Sequence, residues 1–136
     1  MSGAFATVLA MRFLHTSDWH LGRSLHRADL GPGLHVVTER SFGAGDDQRG
    51  AFVRRAWDEL RGDLSPASLG ALLGRHAADP FAATCVHADA LGYGTRSSLI
   101  LLLGSRWTET RWLWAEGKPC VTPFVERADL VESLRA

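Results

Sequence analysis

Along this 136-residue chain the spacing of apolar positions changes several times, and each change marks an expected element. Phe5 to Leu14 is rich in apolar and β-favouring residues and predicts a strand that runs into a polar loop at Ser17 and Asp18. Gly31-Pro32-Gly33 then interrupts the chain, because neither residue type continues a helix or a strand readily. Residues 34–40, LHVVTER, alternate as a short strand does. From there the period lengthens: Phe52, Val53, Ala56, Trp57, Leu60 and Leu64 fall on one helical face, with Asp46 or Asp47 as the N-cap.

A second helix is expected from Ser65, an N-cap followed by Pro66 at the first helical position. It would bury Leu69, Leu72 and Leu73 and stop at Asp79-Pro80. The unbroken apolar run in SSLILLLG, residues 97–104, predicts a buried strand. Its hairpin partner would be RWTETRWLWAEG, residues 106–117, turning at Gly104-Ser105. Two residues apart, Trp112 and Trp114 should share a face of that partner, and that face is expected to be the core side. Residues 126–134 predict a terminal helix with Leu130, Val131 and Leu134 inward. Strands first, helices next, then strands again predict an α+β fold: a mainly antiparallel sheet with two to three segregated helices.

Composition fits one globular domain over residues 1–136, with 46% hydrophobic and 22% charged residues. Fifteen basic and fifteen acidic side chains cancel, so no net field draws the chain to phosphate, and nucleic acid is not an expected partner. The longest apolar run, Leu99 to Leu103, is far short of the roughly 20 residues of a membrane span, and the opening residues lack the basic start of a signal peptide. A cytoplasmic location is therefore expected. The cysteines, Cys85 and Cys120, form no C-x-x-C pair and are read as buried thiols.

Two segments carry candidate chemistry. In MRFLHTSDWHLGRSLHRADL, residues 11–30, Asp18 and His20 would point to one side of an extended segment and could reach a shared divalent ion. This stretch resembles the amino-terminal strand and loop of the SbcD nuclease subunit, a calcineurin-like metallophosphoesterase. That resemblance implies a manganese-dependent DNA phosphodiesterase using Asp18 and His20. A two-metal centre needs further ligands, however. The sequence contains no Asn, so the family's Gly-Asn-His motif is missing, and no Gly-His-x-His pair occurs. Gly45-Asp46, His15, His26 and His87 are the remaining candidates, without the motifs that would organise them.

Residues 33–136, through GLHVVTERSFGAGDDQR, CVHADALGYGTRSSLILL and RWLWAEGKPCVTPF, resemble the carboxyl-terminal half of NRDE-family proteins. That resemblance implies an amino-terminal-nucleophile hydrolase-like fold. The family begins Met-Cys, whereas residue 2 here is Ser, and its Asn-Arg-Asp-Glu motif cannot occur without Asn. An amidohydrolase using Ser2 is the remote form of this expectation. His87 and Asp89 form a second H-x-D pair, read as local hydrogen-bonding groups rather than ligands. The expectation is thus an incomplete NRDE-like domain without catalytic activity, with no catalytic residue, metal or cofactor assigned. Its sheet, deprived of half a layered fold, would be covered by a second copy or a partner chain.

Overall fold

The computed structural model describes residues 12–16, 34, 36 and 48–133, the first of these segments as backbone only. Within them the chain is an α+β domain. Strand β1 (Arg12–Thr16) precedes helices α1 (Gln48–Glu59) and α2 (Pro66–Leu73). The short strands β2 (His87–Ala88) and β3 (Tyr93–Gly94) follow, then β4 (Ser98–Leu102), β5 (Arg111–Ala115), β6 (Val125–Glu126) and helix α3 (Ala128–Ser133). The main sheet is antiparallel throughout, in the order β1-β4-β5-β6, and β2 and β3 form a separate antiparallel pair. Among the described residues no helix is long and apolar enough to cross a membrane.

The core lies where α1 and α2 cover the sheet. Ala56, Leu69, Leu72, Leu73, Ile100 and Leu113 form one buried cluster, with Trp57, Leu60, Leu64, Leu102 and Phe124 packed around it. The helical spacing of the sequence placed these residues on one side for a physical reason: positions three and four apart share a helix face. Trp57 is half-buried, so the small Ala56 makes the close approach instead. The N-cap of α2 is Ser65, whose Oγ accepts the Ser68 N–H at 3.3 Å. Asp63 reinforces that start by accepting from Ser65 N–H at 3.1 Å and Ser68 Oγ at 2.5 Å. These bonds hold the Asp63 carboxyl below its ordinary range, the Ser68 hydroxyl contributing most.

Several expectations change. Helix α2 ends at Gly74, well before Asp79-Pro80, which instead opens a 3-10 turn, Pro80–Ala82. The cause is Thr84: its hydroxyl donates to the carbonyls of Leu72 (2.6 Å) and Arg75 (3.2 Å), satisfying groups that another helical turn would have used. The connection from β4 to β5 is not a tight turn at Gly104-Ser105, because Trp107–Glu109 forms a 3-10 turn within it. Trp112 and Trp114 do share a face, but Leu113 and Ala115 occupy the buried one, leaving both tryptophans half-buried. Helix α3 packs on β5 and buries Val131, while Leu134 lies outside the described residues. So do residues 5–11 of the first expected strand, the Asp46 and Asp47 caps, and most of the 34–40 strand, of which Leu34 and Val36 have no regular structure.

Candidate metal centre

The chain leaving α2 is fastened to the segment that follows the 3-10 turn. Besides the Thr84 bonds, Cys85 N–H donates to the Arg75 carbonyl at 3.0 Å. Val86 then pairs with Thr95, through Thr95 N–H to the Val86 carbonyl (3.0 Å) and Val86 N–H to Thr95 Oγ1 (2.9 Å). This ladder continues the β2–β3 pairing by one step, so Cys85 and His87 lie two residues apart on an extended strand and project to one side. His76 reaches the same place from the end of α2, its ring edge-on to His87 with centroids 4.7 Å apart. The fourth contribution comes from the turn at 118–122, closed by Val121 and Thr122 N–H groups on the Lys118 carbonyl. It delivers Cys120, whose Sγ lies 3.1 Å from His87 Nε2.

Two glycines make this convergence possible. A Cβ on Gly74 would stand 3.3 Å from Cys120 Cα and 3.4 Å from the Pro119 carbonyl oxygen. A Cβ on Gly94, opposite His87 in the ladder, would stand 3.0 Å from the Val86 oxygen and 3.4 Å from Lys118 Cε. Bare backbone at the first position lets the Cys120 turn close on the helix end. At the second it leaves room for Lys118 to cross toward His87.

The resulting cluster is His76, Cys85, His87 and Cys120, whose ligand atoms all lie within 4.8 Å of one another. A tetrahedral zinc ion with its usual bond lengths sets ligand atoms about 3.3 to 3.8 Å apart, so small side-chain adjustments suffice. The sulfur of Cys85, at 3.5 Å from His87 Nε2, is already within that range. Two thiolates and two imidazoles are a donor set for zinc and similar borderline ions, whereas manganese prefers oxygen ligands.

Lys118 stands beside the centre. Its ammonium donates to Asp89 Oδ1 at 2.7 Å, and its Nζ lies 3.3 Å from His87 Nδ1. The same ammonium holds the Asp89 carboxyl below its ordinary range. Burial pushes the Cys85 thiol up to about 11, so at neutral pH an arriving metal must displace its proton. A metal on Nε2 would require the ring proton on Nδ1, which leaves Lys118 with Asp89 alone.

Of the residues singled out in the sequence, Ser2, Asp18, His20, His26 and Asp46 lie outside the described residues, and His15 is placed on β1 by its backbone alone. His87 and Asp89 are brought together through Lys118, and His87 also joins the cysteines. Sequence reasoning missed the cluster because its members span residues 76–120 without a recognised spacing. The one local signal was Cys85-x-His87, two ligand types two residues apart.

In comparison with known proteins, no family model matches the chain, and neither a curated protein nor a solved structure matches it.

Proposed function

We propose that the chain is a non-catalytic domain that binds one zinc-type ion through His76, Cys85, His87 and Cys120. The observation that carries this reading is the convergence of two thiols and two imidazoles from three separate segments within 4.8 Å. Four protein ligands fill a tetrahedral shell and leave no position for a reacting water, which is the arrangement of structural rather than catalytic zinc. The ion would tie the end of α2, the β2–β3 arm and the 118–122 turn together. The β2–β3 arm has little apolar burial of its own, since the buried side chains of 82–88 are Ala, Thr, Cys and Val.

The close approach of Cys120 to His87 invites another reading, a nucleophile with its base. The full cluster favours the metal reading: a nucleophile and its base would not call for a second thiol and a second imidazole at the same point. The SbcD-like opening receives no part in the proposal, and incubation with manganese and DNA is expected to release no nucleotides.

Titration of the metal-free, reduced full-length chain with Co²⁺ tests the reading. Expected are the ligand-field bands of tetrahedral cobalt and thiolate-to-cobalt charge transfer, saturating at one ion per chain and displaced by Zn²⁺. Cys120→Ser and His87→Ala should each weaken binding at least tenfold. An absence of charge-transfer bands, or unchanged titrations in both variants, would overturn it.

A further inference from the structure

We propose that Cys85 and Cys120 are also an oxidation site, at which a peroxide converts the pair to a disulfide and discharges the metal. The discharge rests on the zinc reading above; the disulfide does not. Both sulfurs face the same imidazole nitrogen, at 3.5 and 3.1 Å, and lie within 4.8 Å of each other. Both backbones are anchored on the exit of α2. Cys85 N–H is bonded to Arg75 in the α2 exit, and Cys120 sits in the 118–122 turn against Gly74.

The two thiols differ in access, and that assigns their roles. Cys85 is 1% exposed. Cys120 is half-buried and lines an open groove of about 490 Å³ that runs along α2 past Pro66, Gly70 and Gly74 to Pro119 and Phe124. None of the other three cluster residues lines that groove. Of the two residues Cys120 is the more exposed, so a small oxidant meets it before Cys85, which acts as the resolving thiol.

The steps balance in the metal-free chain. Hydrogen peroxide transfers one oxygen to the Cys120 sulfur, giving a sulfenic acid and one water. The Cys85 sulfur then attacks Cys120 Sγ, its thiol proton leaves with the hydroxyl as a second water, and the S–S bond forms. Two thiols have lost two electrons and two protons, and the peroxide has been reduced to two waters. In the metal-bound chain the two thiolates supply the same electrons, two protons come from solvent, and the ion leaves because a disulfide no longer offers anionic sulfur.

Full-length protein, metal-free and zinc-loaded, is exposed to hydrogen peroxide. Thiol titration, a colorimetric zinc chelator and mass mapping of a non-reducing digest are read together. Expected are joint loss of both thiols, a Cys85–Cys120 cross-linked peptide, release of all bound zinc, and recovery of both thiols with dithiothreitol. In Cys85→Ser, dimedone should trap a sulfenic acid on Cys120; in Cys120→Ser, Cys85 should stay unreacted over the same period. The wild-type digest needs no variant to fold. A cross-link between chains only, stable sulfinic acid at Cys120, or dimedone on Cys85 in the wild type would overturn the proposal. Zinc that binds but survives peroxide with both thiols intact sinks the oxidation site and spares the zinc reading. A cross-link in a chain that binds no metal does the reverse.

Discussion

The helix–sheet core and the histidine–cysteine corner are built on opposite terms. In the core, Leu69, Leu72, Ile100 and Leu113 exclude water by bulk, and what the site demands is that volume be filled. In the corner, small and polar side chains are held by directed bonds: Thr84 on the Leu72 and Arg75 carbonyls, Val86 with Thr95, Lys118 between His87 and Asp89. One region is stabilised mostly by area and the other mostly by geometry. A ligand with directional bonds can therefore add most to the corner, and a cavity does most damage in the core.

The largest expected effect is in the core. Leu69→Ala removes a fully buried side chain and should cost about 2 to 5 kcal/mol, equally with and without zinc, in urea melts of both forms. A cost that zinc erased would mean the two regions are not separate. Next comes the metal itself. At a free concentration one hundred times Kd, zinc should raise unfolding free energy by about 2.7 kcal/mol, and Cys120→Ser should cut that increment to about 1.4 kcal/mol or less while leaving the metal-free melt nearly unchanged. Thr84→Val is expected to cost about 1 kcal/mol, because the Leu72 and Arg75 carbonyls keep the N–H donors of Arg75 and Cys85. Its sharper signature is weaker Co²⁺ binding, since Thr84 fixes the segment that carries Cys85.

Acid should act on the start of α2. The Asp63 carboxyl is depressed in the folded chain, so its contribution is present above its ordinary value of 3.8 and is lost as pH falls through the lower folded value. Melts of Asp63→Asn and the parent should accordingly differ at neutral pH and converge in strong acid. The smallest effect is expected at Ser98, fully buried on β4, whose hydroxyl has no hydrogen-bond partner among the described residues. Ser98→Ala should change stability by less than about 0.5 kcal/mol or raise it, because no bond is lost and a desolvated hydroxyl is removed.

What the sequence made legible follows the same division. Helical period found Ala56, Leu69, Leu72 and Leu73, and the Ser65-Pro66 pair found the start of α2, because both signals act within a few residues. The apolar run found β4 and its antiparallel partner. Where a distant group intervened, local pattern failed. The end of α2 is set by Thr84, ten residues beyond Gly74. The buried face of β5 was misjudged because two tryptophans outweigh Leu113 and Ala115 in any count of apolarity, although the latter pair faces the helices. The cluster was the least legible feature, as it forms only when the 118–122 turn meets the β2–β3 arm, and nothing near Cys120 in sequence announces His76.

The pairing of β1 with β4 imposes an order of events on synthesis. Thr16 meets Ser98 and Arg12 meets Leu102, so the first described strand leaves the ribosome long before its partner exists. At about 5 to 20 residues per second, several seconds pass in which β1 has nothing to pair with. During that interval the ladder groups of β1 are open to any other extended chain nearby. Closure waits until the ribosome has carried the nascent chain past Leu102.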